Sequence, residues 1–177
     1  MAEAASTTGR VRPMLEADLP QVLAWRNEAV VRAAMFSTGL VQPEEHRRWF
    51  EAAAREAGRT LLIFEAEGEA RGFVGFALCR HPRVADWGFY AAPGAPRGTG
   101  HALGRAALEH AFGALGLHKV CGEVLESNPR SVVLHRALGF VQEGTRAEHH
   151  FDGTRFQAVF CFGLLARQWN APDAPRP

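Results

Sequence analysis

Three cysteines in 177 residues, Cys79, Cys121 and Cys161, are too few and too scattered for a disulfide framework. Each falls in an apolar, strand-like run and reads as a reduced, buried thiol, which points to a cytoplasmic protein. A catalytic cysteine is the minority alternative, since cysteine often serves as a small core residue. Long apolar runs are missing, which excludes a membrane-spanning helix. Residues 1–9 lack the apolar stretch of a secretory signal, so none is predicted. Charge of one sign is missing as well. Twenty basic and 19 acidic residues are interspersed for a net +1, leaving no basic stripe for nucleic acid and no charged tail for a protein partner. The eight histidines match no zinc spacing, and adjacent His149 and His150 would point to opposite faces of a strand, so no metal is expected. Repeats, linkers and low-complexity blocks are absent too. What is there is a 47% apolar chain of single-domain size. The expected domain spans residues 10–169, with flexible tails at 1–9 and 170–177.

Hydrophobic spacing sets out the elements. Residues 11–14 form a short strand, 18–27 and 43–57 are helices, and 30–42 make an irregular link. Strands at 60–65 and 71–79 flank Glu67-Gly68, a hairpin signature, and 84–90 completes a meander. A helix over 102–115 follows, then a strand at 119–125 and a short helix beginning at Asn128. Strands at 140–150 and 156–164 close the chain around Asp152-Gly153.

The most informative stretch is Arg97-Gly98-Thr99-Gly100-His101-Ala102, between a strand and a helix. Such a turn is an anion cradle: glycines let the backbone approach, and the helix start offers N–H groups and positive potential. A P-loop requires a terminal Gly-Lys-Ser/Thr, which this chain lacks. A Rossmann turn requires G-x-G-x-x-G opening a βαβ unit. Here Gly98, Gly100 and Gly104 are spaced one residue too wide and follow hairpins. A ligand-free tight turn is the plain alternative. Arg97-x-x-Gly100-x-Ala102 resembles the Arg/Gln-x-x-Gly-x-Gly/Ala turn of the GNAT acetyltransferases. Some 30 residues on, Asn128-Pro129-Arg130-Ser131 leads to Leu138-Gly139-Phe140 and resembles that family's second motif, Asn-x-x-Ser/Ala then Leu-Gly-Phe. Asn128 suits an N-cap, Pro129 the first helical position and Gly139 the residue after the helix. Position 135 departs from the pattern: many members carry tyrosine where this chain has His135.

The resemblance implies an α/β GNAT fold, a mixed, mostly antiparallel seven-stranded sheet flanked by helices. It implies acetyl-CoA as co-substrate, with its diphosphate on Arg97, Gly98, Thr99, Gly100, His101 and Ala102. Backbone groups of Phe89, Tyr90 and Ala91 would line the pantetheine arm, and Asn128 and Ser131 would complete the site. Acetyl transfer needs a neutral amine, a donor for the nascent oxyanion and a proton for the leaving thiolate. His135 stands where the family's tyrosine faces the sulfur. It is the candidate acid, the alternative being that it merely packs or bonds a backbone carbonyl. Asp86 and Glu123, on the strands flanking the cleft, are candidate bases or else ordinary solvated carboxylates.

The N-terminal third sets the acceptor. Leu23-Ala24-Trp25-Arg26-Asn27, Val31-Arg32-x-x-Met35 and Glu44-Glu45-His46-x-x-Trp49 resemble the sugar-nucleotide N-acetyltransferases of pseudaminic acid synthesis, as does Trp87-Gly88-Phe89-Tyr90. That resemblance implies transfer to the 4-amino group of a UDP-linked amino-deoxy sugar, feeding flagellin glycosylation. Arg26 and His46 would meet phosphate. Met35, beside Phe36, would wall the sugar methyl, and Trp87 would line the acceptor site. Arg26 can equally be a plain surface or ion-paired arginine, and Trp25 and Trp49 core residues of their helices. Arg155, Phe156 and Gln157 depart from that subfamily's more common Tyr-x-Asp. The alternatives are a ribosomal-protein N-terminal alanine acetyltransferase and a non-catalytic acetyl-CoA-binding module. No nucleic acid or membrane partner is expected of a monomer or homodimer.

Overall fold

The computed structural model describes residues 9–79 and 81–170. Seven strands form one sheet in the order β1-β2-β3-β4-β5-β7-β6. They are β1 (Gly9–Pro13), β2 (Arg59–Ala66), β3 (Glu69–Cys79), β4 (His81–Ala91), β5 (Lys119–Leu125), β6 (Val141–Phe151) and β7 (Phe156–Leu165). Every neighbouring pair is antiparallel except β4 and β5. The helices are α1 (Leu19–Asn27), α2 (Ala29–Arg32), α3 (Pro43–Arg55), α4 (Thr99–Phe112), α5 (Pro129–Ala137) and α6 (Ala166–Trp169).

Two apolar cores sit on opposite faces of the sheet. On one face, Leu103, Ala106, Ala107, Leu108 and Ala111 of α4 meet Leu62, Phe64, Val74, Phe76 and Ala85. Their i, i+3, i+4 spacing makes one stripe of that helix apolar. On the other, Leu19, Val22 and Trp25 of α1 meet Met14, Ile63 and Phe73. Strand alternation sends neighbouring residues to opposite cores, as Ile63 and Phe64 show. Helix α5 packs against α4 so closely that a Cβ at Gly104 would lie 2.5 Å from Leu138 Cδ1.

Local chemistry explains the corners. Glu67 (φ 55°) and Gly68 (φ 78°) are both left-handed, as a two-residue hairpin turn requires. Asp152 Oδ1 accepts from the Thr154 and Arg155 amides at 2.9 and 3.0 Å and closes the β6–β7 hairpin. Helix α5 is capped by Asn128 Oδ1, which accepts from Ser131 N at 3.1 Å. It ends in a Schellman motif: Phe140 N donates to His135 O and Gly139 N to Arg136 O, each at 3.0 Å, around a left-handed Gly139.

Several expectations are corrected. Helix α4 covers Thr99–Phe112 rather than 102–115, because Thr99 Oγ1 donates to Pro96 O at 2.8 Å and starts the helix three residues early. The 30–42 link contains the single turn α2. Gly9, placed in a tail, pairs with Ala66 in β1. The remaining tail residues, 1–8 and 171–177, lie outside the described residues. The three cysteines are half-buried rather than core residues. Strand pairing and alternation place Cys121 and Cys161 on the face of β5 and β7 away from α4.

Candidate functional site

The site exists because β4 and β5 part company. Their parallel ladder lasts three pairs, from Val84–Lys119 to Asp86–Cys121. Beyond Asp86, β4 stays bonded only to β3 on its far side. Its other edge, over residues 87–91, faces a cleft of about 1040 Å³. Phe89, Tyr90, Ala91, Arg97, Gly98, Thr99, Gly100, Asn128 and Ser131 all line that cleft. His101 and Ala102 do not, being one step further into α4.

The amides at the head of α4 divide into two kinds. Thr99 N donates to Pro96 O at 3.2 Å and Ala102 N to Gly98 O at 3.0 Å, so these two are spent. Gly100 and His101 amides have no partner among the described residues. Gly98, the N-cap, holds φ at 92°, a left-handed value suited to glycine, and turns the chain so that both open donors stand at the positive end of the helix. Arg97 is exposed at the lip. The cradle is therefore narrower than the motif suggests: Thr99 and Ala102 shape it without offering a donor.

Across the cleft, His135 is 2% exposed. Its Nδ1 lies 2.8 Å from Ser131 O, which only a protonated Nδ1 can satisfy. Its Nε2 accepts from Trp87 Nε1 at 3.1 Å. Burial holds the ring below its ordinary value near 6.5, the Ser131 carbonyl opposing only in part. In this arrangement the neutral ring directs its Nδ1 proton to the Ser131 carbonyl and presents only a lone pair at Nε2, which argues against the proton-donor role expected from its position. Trp87 is engaged in the same way. It is 7% exposed, packs on Phe89 and Phe140, and its indole N–H is taken by His135.

Asp86 and Glu123 line the same cleft, and both are exposed. Glu123 is paired with Arg146, Oε1 to Nη1 at 2.7 Å, whereas Asp86 has no ion pair among the described residues. Cys121, paired with Asp86 across the ladder, has its thiol pushed up to about 11, chiefly by burial, which makes it a poor nucleophile.

The end of the site expected to take the acceptor is made of side chains. Arg26 Nη2 donates to Ser37 O at 2.7 Å, Arg32 Nη1 to Thr38 O at 3.0 Å, and Asn27 clasps Val41 by both its amide nitrogen and oxygen at 2.8 and 2.9 Å. These three residues fasten the link between α2 and α3. The link brings Met35 and Phe36 to the cleft wall, where Phe36 meets His150 of β6 edge to face at 5.2 Å. Beside it lies a pocket of about 280 Å³ lined by Arg26, Val41, Glu45, His46, Trp49, Phe73 and Tyr90. Arg26 Nη1 and His46 Nδ1 are buried there without a hydrogen-bond partner among the described residues. His46 is 5% exposed, stacks on Trp49 at 5.1 Å, and is held below its ordinary value by burial and by Arg26. Trp25, by contrast, is a core residue of α1. Sequence reasoning named Arg26 and His46 but missed Tyr90 and Phe73 as their neighbours, since these come from β4 and β3. Among the described residues no cluster of three metal-ligating side chains occurs.

Comparison with known proteins decides the family. The model of the acetyltransferase (GNAT) domain matches residues 10–141. The chain belongs to the GNAT acetyltransferases. A GNAT relative, the L-methionine sulfoximine/L-methionine sulfone acetyltransferase of Pseudomonas paraeruginosa, is 31% identical over 134 residues, covering 72% of this chain and 77% of its own. The crystal structure of spermidine N-acetyltransferase from Vibrio cholerae in complex with CoA and spermine superposes with a TM-score of 0.85 at 23% identity, covering 93% of this chain and 99% of that one. Ribosomal-protein-alanine N-acetyltransferase from Brucella melitensis gives 0.76 at 27%, covering 88% and 98%. As a GNAT enzyme, the chain is an N-acetyltransferase that draws its acetyl group from acetyl-CoA. The site fits that co-substrate, for two open amides at a helix start suit a diphosphate and an unpaired strand edge suits the amides of the arm. No described helix is long and apolar enough to cross a membrane.

Proposed function

We propose that this acetyltransferase modifies the 4-amino group of a UDP-linked amino-deoxy sugar. One observation carries the reading: two buried, unpartnered nitrogens, Arg26 Nη1 and His46 Nδ1, in one aromatic-walled pocket beside the cleft. A buried polar group without a partner costs about 1–3 kcal/mol, and an anionic ligand would remove that cost. Phosphate suits a guanidinium and an imidazole together, while Trp49 and Tyr90 offer flat faces to a base. Met35 and Phe36 would pack against the sugar methyl.

Acetyl-CoA, when bound, supplies the activated acetyl thioester. Gly100 and His101 amides with Arg97 would hold its diphosphate. The β4 edge at Phe89, Tyr90 and Ala91 would align the arm, with Asn128 and Ser131 opposite. A backbone N–H of that edge would stabilise the oxyanion. Asp86, with no ion pair among the described residues, would take the amine proton directly or through water, with Glu123 as a weaker second. The reaction fits a reducing, cytoplasmic setting, given the thiols of Cys121 and Cys161.

The competing reading takes an amino acid as acceptor, its carboxylate seated on Arg26. The 31% identity with an enzyme named for methionine sulfoximine and methionine sulfone favours it. Mass spectrometry of acetyl transfer to UDP-4-amino sugars, methionine sulfone, spermidine and a ribosomal N-terminal peptide separates the readings. Thermal stabilisation by UDP alone is expected. Turnover of methionine sulfone with no response to UDP would overturn the nucleotide-sugar assignment.

A further inference from the structure

The parting of β4 and β5 coincides with a pair of bonded rings. The last ladder pair is Asp86–Cys121, so Trp87 and Gly122 are the first positions at which the strands stand apart. A Cβ on Gly122 would lie 2.6 Å from His135 Nε2 and 2.8 Å from Trp87 Nε1, which means that the hydrogen bond between those two rings rests directly over Gly122. The rings are rigid and tightly backed. His135 stacks on Phe162 of β7 at 5.1 Å and meets Phe140 at 5.0 Å and Phe89 of β4 at 5.8 Å. Trp87 stacks on Phe140 at 5.1 Å and on Phe76 of β3 at 6.2 Å. From α5, the Ser131 carbonyl fixes the Nδ1–H tautomer, which leaves Nε2 bare to accept from the indole. No charged side chain among the described residues perturbs the imidazole.

We propose that His135 and Trp87 form a neutral, tautomer-locked strut over Gly122 that holds β4 and β5 apart, making His135 a positioning residue for the coenzyme cleft rather than a proton donor. The strut transmits the position of α5 to the β4 edge: Ser131 sets the ring, the ring sets the indole, and the indole sets where β4 runs after Asp86. Only glycine at 122 leaves room for it.

Two measurements on the full chain test this. The first uses the wild type with and without coenzyme A. Nitrogen-15 NMR of the histidine rings should show His135 with a protonated Nδ1 and a bare Nε2, unchanged from about pH 8 to about pH 5.5. A ring that titrates within that window, or carries its proton on Nε2, overturns the strut. The second is a calorimetric double-mutant cycle for coenzyme A binding with Trp87→Phe, His135→Phe and both together. Each single change should weaken binding about tenfold, and the double change should add less than about twofold more. Trp87→Phe that keeps wild-type affinity overturns the strut, because the indole N–H would then do nothing for the cleft. Trp87→Phe keeps the ring and most of its packing, so it isolates the hydrogen bond. Should a variant fail to fold, the wild-type spectrum still decides.

Discussion

The two ends of the cleft are built from different materials. The coenzyme end is backbone: the open Gly100 and His101 amides, the bare β4 edge and a left-handed Gly98. The end proposed for the acceptor is side chain: Arg26, His46, Met35, Phe36, Trp49 and Tyr90, drawn from three elements and one link. Backbone donors read a shape that any coenzyme A presents. On the proposed reading, side chains select the acceptor, and they can change without disturbing the sheet. The difference explains why the family is plain from the motifs while the acceptor needs chemistry to name it.

The sharpest way to break this contrast is to put a side chain into the backbone end. Gly100→Asp has room, since a Cβ there meets only Leu134 Cδ2 at 3.6 Å. Its carboxylate would occupy the open amides and repel a diphosphate. The KM for acetyl-CoA should rise on the order of 100-fold in steady-state kinetics, an effect of about 2.7 kcal/mol, with no fall in Tm. Unchanged KM would show that the cradle is elsewhere. Next comes the junction of the two ends. Gly122→Ala drives a methyl into the His135–Trp87 contact and should cost about 1–3 kcal/mol of stability by denaturant unfolding, as overpacking does.

At the acceptor end, His46→Phe keeps the stack on Trp49 and deletes the unpartnered Nδ1. It should raise the acceptor KM about tenfold and leave the acetyl-CoA KM alone, while Tm rises because an unsatisfied buried group is gone. Acid should expose the same strain. Both His46 and His135 are held below their ordinary value near 6.5 by burial, so the folded state resists a proton that the unfolded chain accepts. Stability should be full above that value, decline as the pH falls from it, and level off below the depressed folded values. Tm measured from pH 8 downward checks the sign, and His46→Phe should flatten part of the decline. Smallest is Glu123→Gln, whose partner Arg146 already occupies the carboxylate. Its kcat should stay within about twofold of wild type, whereas Asp86→Asn should lower kcat at least about tenfold.

Much of the fold was legible because local chemistry spoke for it. Glu67-Gly68, Asn128 with Pro129, and Gly139 each occupy the turn or cap that their side chains or φ values favour. What was not legible arose between distant segments. His135 and Trp87 are 48 positions apart, and nothing near either reveals that each spends its polar hydrogen on the other or on Ser131. The start of α4 was misplaced because glycines at 98 and 100 read as turn, while the hydroxyl bond of Thr99 to Pro96 that begins the helix is a tertiary detail. Arg26 and His46 were nameable, but the emptiness between their nitrogens depends on Phe73 and Tyr90 arriving from the sheet. The cysteines looked like core residues because their strands are apolar, yet alternation places Cys121 and Cys161 on the face that α4 does not cover.

The clasps of Arg26, Asn27 and Arg32 on Ser37, Val41 and Thr38 have a practical corollary for redesign. Because each end of every clasp belongs to residues 26–41, that stretch is a self-fastening cassette. Its shape should travel whole when grafted onto another sheet of this kind, whereas single exchanges within it would unbuckle the cassette before they retarget it.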